Sequence, residues 1–352
     1  AFPLWSEMPV NQRSQLLLKL ADRIEENLEP LAQAESLDTG KPLSLALKVD
    51  IPRAVANFRF FATAILHFAS ECHPMESTAL NYTLRQPLGV VGCLSPWNLP
   101  LYLLTWKIAP ALATGNCVIA KPSEITPMTA YLLSELCQEI GFPQGVLNII
   151  HGLGNKVGEA ICLHQDVSAI SFTGGTVTGA RIASLVAPQF KKLSLELGGK
   201  NPNLIFADCN YPEALKTSIE SAFSNQGQIC LCGSRIFIEA PLYETFKKDF
   251  VSAVQSLKVG DPMEANTEQG AVVSKAHFQK VLSSIQLAKE EGGRILCGGE
   301  PVLLEGRCQN GWFIKPTVIE GLDASCRTNQ EEIFGPVVTL IPFHSEAEVL
   351  EY

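Results

Sequence analysis

The chain of 352 residues is longer than one ordinary domain, which favours two compact units. Its 46% hydrophobic and 18% charged residues are typical of a globular protein with buried cores. The 27 basic and 36 acidic residues give a net charge of −9, so the surface repels phosphate backbones and a nucleic-acid partner is disfavoured.

The cysteine and apolar content indicates the compartment. The eleven cysteines do not form a disulfide framework in this interpretation, because many lie inside apolar stretches as reduced thiols would. We therefore expect a reducing compartment, the cytoplasm, and the opening residues show no signal peptide. The longest apolar run, residues 99–115, is interrupted by Lys107 and Pro110, so no membrane span is predicted.

The first part of the chain is predicted to be mostly helical. Residues 9–35 carry apolar side chains at helical spacing, and a second helical run covers residues 43–71 after a Gly-Lys-Pro turn. Residues 77–87 alternate polar and apolar side chains, which is typical of an exposed strand.

From Gly89 onward, short apolar strands alternate with helical patterns. Strands are predicted at residues 89–95, 116–122, 146–152 and 169–175, with helices at 103–113, 128–140 and 157–164. This alternation predicts a parallel sheet with helices on both faces. In such a sheet, ligands bind beyond the carboxyl ends of the strands.

A second β/α set begins near Asn203. It comprises predicted strands at residues 203–208 and 234–240 and predicted helices at 212–225 and 242–257. The polar, glycine-containing residues 196–202 lie before it and are interpreted as a hinge. The sequence thus predicts an α/β protein of two domains.

Residues 223–235, F-S-N-Q-G-Q-I-C-L-C-G-S-R, form the most informative segment. Cys230 follows a predicted helix end and precedes a strand, at a turn where a thiol can face a cleft. A thiolate is the strongest common side-chain nucleophile near neutral pH. Taken alone, Cys230 and Cys232 would be interpreted as core thiols. One C-x-C pair without further Cys or His nearby is poor evidence for zinc, so no metal site is predicted.

Two motifs change that interpretation. The motif F-x-N-x-G-Q-x-C-x-x-x-x-R is matched by Phe223, Asn225, Gly227, Gln228, Cys230 and Arg235. Upstream, residues 195–200 read L-E-L-G-G-K. Both segments resemble active-site motifs of the aldehyde dehydrogenase family, in the family's order and separation. Further similarity covers nearly the whole chain, including S-P-W-N-L-P at 95–100, K-P-S-E at 121–124, F-T-G at 172–174 and E-E-I-F-G-P at 331–336.

The resemblance implies the aldehyde dehydrogenase fold. A Rossmann-like parallel-sheet domain for the cofactor would span residues 1–197, with part of a β oligomerisation arm at about 70–87. An α/β catalytic domain, incomplete at its C-terminus, would span residues 198–352. The family acts on small-molecule aldehydes, and its members are homo-oligomers.

The resemblance also implies a catalytic sequence. Cys230 attacks the aldehyde to give a thiohemiacetal, whose oxyanion accepts hydrogen bonds from the Asn98 side chain and the Cys230 N–H. Hydride transfer to the nicotinamide leaves a thioester, and Glu196 activates the water that hydrolyses it. Alone, Glu196 would be a surface carboxylate and Asn98 a turn residue; their motifs favour a buried base and an oxyanion donor.

The implied cofactor is NAD. The glycine-rich turn after the fourth strand is the expected phosphate site at a helix N-terminus. A carboxylate at Glu124 can accept both ribose hydroxyls and repels a 2′-phosphate, which favours NAD over NADP. Gly175 and Val177 replace the Ser and Glu of many relatives, so backbone N–H groups are expected to bind the pyrophosphate. By resemblance, Glu332 holds the nicotinamide ribose and Phe334 packs nearby. The predicted cofactor residues are Ser95, Pro96, Trp97, Lys121, Ser123, Glu124, Gly154, Phe172, Thr173, Gly174, Gly175, Gly179, Leu197, Gly198, Glu332 and Phe334.

The substrate prediction comes from a branch of the family. Residues 50–62, 95–111 and 225–235 resemble enzymes that oxidise 2-aminomuconic semialdehyde in tryptophan breakdown through kynurenine. Such a substrate bears a carboxylate, which an arginine binds bidentately. Arg59 is the candidate, and the alternative is a helix-surface arginine. Retinal, an apolar aldehyde, is the second substrate candidate.

Both ends of the chain fall inside helical patterns, so we expect part of a longer protein with an incomplete substrate tunnel. The strand at 77–87 is then expected to lack its complement and to leave an unpaired edge. Two other functions stay open: a non-catalytic NAD-binding relative, and a dehydrogenase that passes its acyl group to CoA.

Overall fold

The computed structural model describes residues 1–76 and 78–352; Ser77, the first residue of the predicted exposed strand, lies outside the described residues. The chain divides into two compact units. Unit 1 comprises residues 1–35 and 47–197, and unit 2 comprises residues 36–46 and 198–352. The assignment of unit 1 to cofactor binding and of unit 2 to catalysis stays a prediction.

The helices are numbered in chain order. They are α1 (Phe2–Glu7), α2 (Val10–Glu26), α3 (Leu28–Thr39), α4 (Leu43–Leu45), α5 (Ile51–Ala64), α6 (Pro100–Ala113), α7 (Met128–Glu139), α8 (Glu159–Leu163), α9 (Thr176–Val186), α10 (Tyr211–Phe223), α11 (Ala240–Ser256), α12 (Lys275–Glu290), α13 (Arg327–Gln330) and α14 (Glu346–Glu351).

The strands are numbered in the same way. They are β1 (Cys72–Met75), β2 (Ala79–Tyr82), β3 (Val90–Leu94), β4 (Cys117–Lys121), β5 (Leu147–Ile149), β6 (Val167–Gly174), β7 (Lys192–Leu197), β8 (Pro202–Ile205), β9 (Arg235–Glu239), β10 (Arg294–Cys297), β11 (Pro301–Val302), β12 (Phe313–Ile314), β13 (Thr317–Glu320) and β14 (Val337–Phe343).

Unit 1 is built around a parallel sheet with the strand order β5-β4-β3-β6-β7. Crossovers between parallel strands are right-handed, so α6 and α7 cover one face of the sheet and α8 and α9 the other. The strands are rich in Val, Ile and Cys because both faces are buried. The predicted sheet with helices on both faces is confirmed.

The core of unit 1 lies where β3 and β6 meet α8 and α9. Its buried residues include Leu94, Ile161, Ile170, Phe172 and Ile182. Removing a side chain of this size from water contributes about 1.5–3 kcal/mol. This core fixes the carboxyl ends of β3 and β6, which border the candidate cofactor site.

An exposed antiparallel hairpin precedes the sheet. In it, β1 pairs with β2 from Cys72 opposite Tyr82 to Met75 opposite Ala79. The strand predicted at 77–87 is shorter than expected and is paired along one edge. Within the described residues β2 pairs with β1 alone, so its other edge is unpaired, and the absence of the arm's complement stays a prediction.

Unit 2 contains a second five-stranded sheet, ordered β10-β13-β14-β9-β8, in which β10 is antiparallel and the other strands are parallel. Phe223 of α10 and Phe246 and Phe250 of α11 fill the core on this sheet. The core therefore fixes the end of α10, and the loop that carries Cys230 begins there.

Residues 36–46 differ from the predicted division of the chain at residue 197. Their backbone is hydrogen-bonded within unit 2: Leu43 N–H donates to the Pro262 carbonyl, and Ala271 N–H donates to the Gly40 carbonyl. These contacts join residues more than 200 positions apart, which the local sequence pattern does not reveal. Within residues 1–76 and 78–352, no helix combines the length and apolar character needed to cross a membrane.

Candidate active site

The carboxyl ends of β3, β4 and β6 border a cavity of about 410 Å³ in unit 1. The strand order reverses at β3, which opens a crevice of the kind that holds ligands in doubly wound sheets. A volume of this size suits a small-molecule or cofactor site. The predicted cofactor residues that line it are Ser95, Pro96, Trp97, Lys121, Ser123, Glu124, Gly154, Phe172, Thr173, Gly174 and Gly175.

The cavity wall fits a dinucleotide in three respects. The buried Ser95 Oγ has no hydrogen-bond partner within the described residues, so it is available to a ligand. A Cβ at Gly154 or Gly175 would meet no atom within 4 Å, so both glycines face open space. Gly175 is also the N-cap of α9, whose first-turn N–H groups lack intrahelical acceptors and suit a pyrophosphate.

An ion pair defines the side of the cavity that would hold a ribose. Lys121 Nζ lies 3.0 Å from Glu124 Oε2 and also donates to the Pro122 carbonyl at 2.9 Å. Partial burial opposes ionisation of Glu124, but hydrogen bonds from backbone N–H groups and from Lys121 outweigh it and lower the pKa of Glu124. Glu124 is therefore a carboxylate at neutral pH and an acceptor for ribose hydroxyls.

Sequence reasoning missed part of this wall. Asn155, Glu159, Thr178 and Arg181 also line the cavity, and the Arg181 guanidinium lies 2.8 Å from the Glu159 carboxylate. Only their positions in the fold could have indicated them: Glu159 and Thr178 lie on the first turns of α8 and α9, Arg181 lies on the second turn of α9, and Asn155 lies just before α8. Gly179 is buried instead, because a Cβ there would lie 2.6 Å from the Leu197 side chain.

The predicted oxyanion donor, Asn98, lies between β3 and α6 and is 4% exposed. Further along α6, the buried Lys107 donates to Ser171 Oγ at 3.1 Å. Burial lowers the pKa of Lys107 to about 8, against the charges of Cys93 and Glu196, which favour the protonated form. Lys107, which the sequence analysis passed over as an interruption of an apolar run, thus lies within electrostatic range of the predicted base.

The structure corrects the expected burial of Glu196. Its side chain is exposed, because β7 side chains alternate between the two faces of the sheet and Glu196 shares the exposed face with Lys192 and Ser194. Glu196 is the penultimate residue of this strand, at the same carboxyl edge as the cavity. An exposed carboxylate at this edge is accessible to water, as a base that activates water requires.

In unit 2, the predicted nucleophile follows an unusual turn. Asn225, Gln226 and Gly227 have φ values of +52°, +56° and +68°, which is the left-handed region. A Cβ at Gly227 would lie 2.1 Å from the Gly335 carbonyl oxygen, so the position requires glycine. This turn ends α10 abruptly and presents Cys230 at a loop.

Buried amides hold the turn in this conformation. Asn225 Nδ2 donates to the Gln228 carbonyl at 3.2 Å, and Val273 N–H donates to Gln228 Oε1 at 3.1 Å. Gln226 Nε2 donates to the carbonyls of Gly40 and Ala271 at 3.1 and 2.6 Å. The polar residues of the Cys230 motif therefore fix the backbone on which the thiol is carried.

The structure separates the two cysteines of the C-x-C pair. Cys230 is half-buried, whereas Cys232 is buried and its pKa is raised to about 12 by desolvation. Cys232 is thus a protonated core thiol, and Cys230 is the accessible one. Asn201, which the sequence analysis did not single out, donates through Nδ2 to the carbonyls of Cys230 and Cys232 at 2.6 and 3.1 Å.

The loop at residues 331–336 carries two further predicted cofactor residues, Glu332 and Phe334. The Glu332 carboxylate lies against the backbone of Gly198 and Gly199: a Cβ at Gly198 would be 2.1 Å from Oε2, and the Gly199 N–H is 3.4 Å from Oε1. Phe334 has a φ of +63°. Gly335 borders Gly227, so this loop and the Cys230 turn are in contact.

Arg59, the predicted partner of a substrate carboxylate, lies on the surface of unit 1. Its guanidinium is 2.6 Å from Glu25 and 2.8 Å from Asp22, two residues of α2 that raise the pKa of Arg59. This geometry favours the alternative, a helix-surface arginine. Arg53, one and a half turns earlier on α5, instead contacts Tyr102 of α6, with its Nη2 3.2 Å from the hydroxyl.

Comparison with known proteins identifies the family. The model of the aldehyde dehydrogenase family matches residues 1–352. The 2-aminomuconic semialdehyde dehydrogenase of Bos taurus is 54% identical over 355 residues, covering 100% of this chain and 73% of that protein. The solved structure of PnpE in complex with nicotinamide adenine dinucleotide has a TM-score of 0.96 at 43% identity, covering 100% of this chain and 72% of that one.

A third similar protein is the aldehyde dehydrogenase of Bacillus cereus, solved as an NAD⁺ complex, with a TM-score of 0.95 and 42% identity over 99% of this chain and 70% of that one. The similarity covers 99–100% of this chain and therefore extends over both units. The chain belongs to the aldehyde dehydrogenase family.

Proposed function

We propose that this chain oxidises 2-aminomuconic semialdehyde to 2-aminomuconate, with NAD as the electron acceptor. The 54% identity to the bovine enzyme of that name over the whole chain carries the proposal. The half-buried Cys230 supports it, since a reactive nucleophile needs access to substrate.

The proposed reaction begins when the Cys230 thiolate attacks the aldehyde carbon and forms a C–S bond. The oxyanion accepts hydrogen bonds from the Asn98 amide and the Cys230 N–H. Bound NAD would supply the electron acceptor for the hydride of the C–H bond, and loss of this hydride would convert the Cys230 adduct to a thioester. Glu196 then takes a proton from water, the water oxygen attacks the thioester carbon, and the Cys230 sulfur leaves. Water thus supplies the second oxygen of the carboxylic acid.

The residues of unit 1 that would hold NAD are those of the cavity wall. The Glu124 carboxylate, with its lowered pKa, would accept the ribose hydroxyls, and the first turn of α9 would bind the pyrophosphate. Ser95 Oγ, which has no other partner within the described residues, would donate to or accept from the cofactor. In unit 2, Glu332 and Phe334 would hold the nicotinamide end.

Arg53 is a better candidate than Arg59 for the substrate carboxylate. Within the described residues no carboxylate pairs with Arg53, and its guanidinium stacks over the Tyr102 ring at 5.3 Å from the centroid. Tyr102 lies four residues after Asn98, in the first turn of α6. An arginine in this position has its planar donor edge available for a bidentate carboxylate contact.

The first experiment measures NAD reduction by ultraviolet absorbance with 2-aminomuconic semialdehyde or a stable hydroxymuconic analogue. Retinal is assayed separately as the alternative substrate, and the Cys230→Ala variant is the inactive control. We expect turnover that needs Cys230 and prefers the muconic substrate. A preference for retinal would reject 2-aminomuconic semialdehyde as the substrate. A requirement for CoA would indicate a dehydrogenase that transfers its acyl group to CoA. NAD binding without turnover of either aldehyde would indicate a non-catalytic relative.

A matched pair of arginine variants tests the substrate assignment. Arg53→Ala should lower kcat/KM for the muconic substrate by about 10- to 100-fold, as expected for the loss of a charged hydrogen bond, and change that for a neutral aldehyde much less. Arg59→Ala is the control on the same helix. Equal losses with charged and neutral aldehydes in Arg53→Ala would exclude carboxylate recognition by Arg53.

We also propose that the protein is a cytoplasmic homo-oligomer. The exposed apolar side chains of Leu80 and Tyr82 on the β1–β2 hairpin support a buried role in an assembly. The eleven free cysteines support a reducing compartment. Light scattering of the purified chain and of a Leu80→Glu/Tyr82→Glu variant tests the assembly, which the charged variant should weaken.

A further inference from the structure

We propose that α12 holds the loop at residues 331–336 in its cofactor-binding conformation through His277 and Lys280, which are positioning residues for Phe334 and Glu332. The inference rests on the proposed function, because that proposal gives Glu332 and Phe334 to NAD.

Two side chains of α12 reach the main chain of this loop. His277 Nε2 lies 2.6 Å from the Phe334 carbonyl oxygen, and Lys280 Nζ lies 3.2 Å from the Glu332 carbonyl oxygen. The two donors are three residues apart on the helix and share one face. The two acceptors belong to the two residues proposed to hold the nicotinamide end of the cofactor.

The loop lies directly on α12 and needs such support. The φ of Phe334, +63°, is in the left-handed region, which a residue with a Cβ adopts only when its surroundings fix it. The following residue, Gly335, packs so closely that a Cβ would lie 2.6 Å from the Val281 side chain. The His277 ring also meets the Phe334 ring edge-on, with centroids 6.2 Å apart.

The protonation state of His277 is suited to this contact. Burial lowers the pKa of His277 to about 4, although the Phe334 carbonyl favours the charged form and Lys280 opposes it. The ring is therefore neutral at physiological pH and has one N–H. Because a carbonyl can only accept, Nε2 carries the hydrogen and donates it to Phe334.

The other end of the loop is fixed separately. The Glu332 carboxylate lies on the Gly198–Gly199 backbone, while its carbonyl accepts from Lys280. Release of the α12 contacts would let the Phe334 backbone relax from its left-handed conformation and would move the Phe334 ring relative to the Glu332 carboxylate. The effect should appear in NAD binding, because neither contact involves the backbone or thiol of Cys230.

The test compares His277→Leu, His277→Gln and Lys280→Met with Gln279→Leu, an exposed control on the same helix. We expect His277→Leu to raise KM and Kd for NAD about tenfold, since the partly buried Phe334 carbonyl loses the His277 donor, with kcat within about threefold of the parent. His277→Gln retains an N–H donor and should restore most of the affinity. Lys280→Met should show about a threefold effect, because Lys280 is exposed.

A second pair of variants isolates the backbone strain. Phe334→Ala and Phe334→Gly both remove the ring, but only glycine adopts a positive φ without strain. Adding His277→Leu should weaken NAD binding further in the Phe334→Ala chain and have little effect in the Phe334→Gly chain. Equal effects in the two backgrounds would overturn the inference.

Hydrogen exchange without NAD separates this inference from the proposed function. His277→Leu should speed amide exchange at residues 333–335 by about tenfold in the free chain, whereas Gln279→Leu should leave it unchanged. If amide exchange is unchanged in His277→Leu, α12 does not fix the conformation of residues 331–336, even where the parent chain binds and reduces NAD. If His277→Leu exchanges faster than the parent chain but the parent fails to bind NAD, the α12 contact is upheld and only the proposed function is rejected.

Discussion

The cofactor cavity of unit 1 and the Cys230 loop of unit 2 are built by different means. In unit 1 the cofactor cavity is a product of topology: strand order reverses at β3, and the residues that follow β3, β4 and β6 meet at one edge. In unit 2 the Cys230 loop is a product of special backbone conformations, with a run of left-handed residues at 225–227 and a glycine against the Gly335 carbonyl.

The two kinds of construction differ in tolerance. When a cavity wall is made of several independent loops, a substitution in one loop removes its own contact and leaves the other contacts in place. A turn held by close backbone packing has no room to adjust, and strain there is removed only by moving the backbone. We therefore expect substitutions in the Cys230 loop to cost more activity than substitutions of the same size in the cofactor cavity.

The largest expected effect is that of Cys230→Ala. Removal of the nucleophile should lower kcat by about 10³-fold or more, because the covalent route is lost. NAD binding, measured by fluorescence titration, should change by less than about twofold. Cys232→Ala is the matched control, since this buried thiol is protonated and has a pKa of about 12. Comparable losses in the two variants would reject the assignment of Cys230.

Gly227→Ala tests the strained turn. The added Cβ would lie 2.1 Å from the Gly335 carbonyl oxygen and force a positive φ on alanine. We expect the free energy of unfolding to fall by about 3 kcal/mol or more, from strain and displaced backbone together. Denaturant unfolding measures it, and activity should fall by about 10²-fold because the Cys230 loop moves.

Gly292→Ala is the control for that experiment. Gly292 also has a positive φ, +93°, but an added Cβ would meet nothing within 4 Å. The cost there should be about 1–2 kcal/mol, from the backbone conformation alone, without a specific loss of activity. If both variants lose stability equally, the contact with Gly335 does not constrain the turn.

Asn201→Ala removes two hydrogen bonds from the Cys230 loop while leaving its sequence unchanged. The carbonyls of Cys230 and Cys232 lose their donor, so the loop should be less well fixed. We expect kcat to fall by about 10- to 100-fold, with a slower rate of Cys230 alkylation. Asn203→Ala, which removes a bond to Ser218 Oγ in the same unit, should leave the alkylation rate unchanged.

The predicted elements matched the structure where the local pattern decides the outcome. Buried parallel strands are continuous apolar runs, so β3, β4 and β6 could be found within one or two residues of their bounds. The cofactor cavity followed, because positions after these strands must meet at one edge. The family motifs supplied the catalytic residues that pattern alone could not distinguish from core cysteines and surface carboxylates.

The features that the sequence did not predict depend on contacts between residues far apart in the chain. The arginines at positions 53 and 59 lie on one helix, and only the partners from α6 and α2 distinguish them. The left-handed φ of Asn225, Gln226 and Phe334 has no local signature comparable to glycine.

Glu124→Gln tests the more tolerant half of the site. The neutral amide should raise KM for NAD about tenfold and narrow the preference for NAD over NADP, with little change in kcat. The lowered pKa of Glu124 means that the carboxylate forms below the ordinary value near 4.3. Its favourable contribution is therefore complete above that pH and is lost as pH falls through the lowered pKa. If KM for NAD varies between pH 6 and 8 equally in the parent chain and in Glu124→Gln, the variation does not come from ionisation of Glu124.

The smallest expected effect is that of Arg59→Ala. The guanidinium pairs with Asp22 and Glu25 at the surface of unit 1, where side chains are 41–61% exposed, and solvent screening makes such pairs contribute little to stability. The melting temperature should fall by about 1–3 °C, less at high salt. Since both partners lie on α2, kcat/KM should be unchanged for muconic and neutral aldehydes alike. A selective loss with the muconic substrate would restore Arg59 as the carboxylate partner, and would show that its ion pairs open when substrate binds.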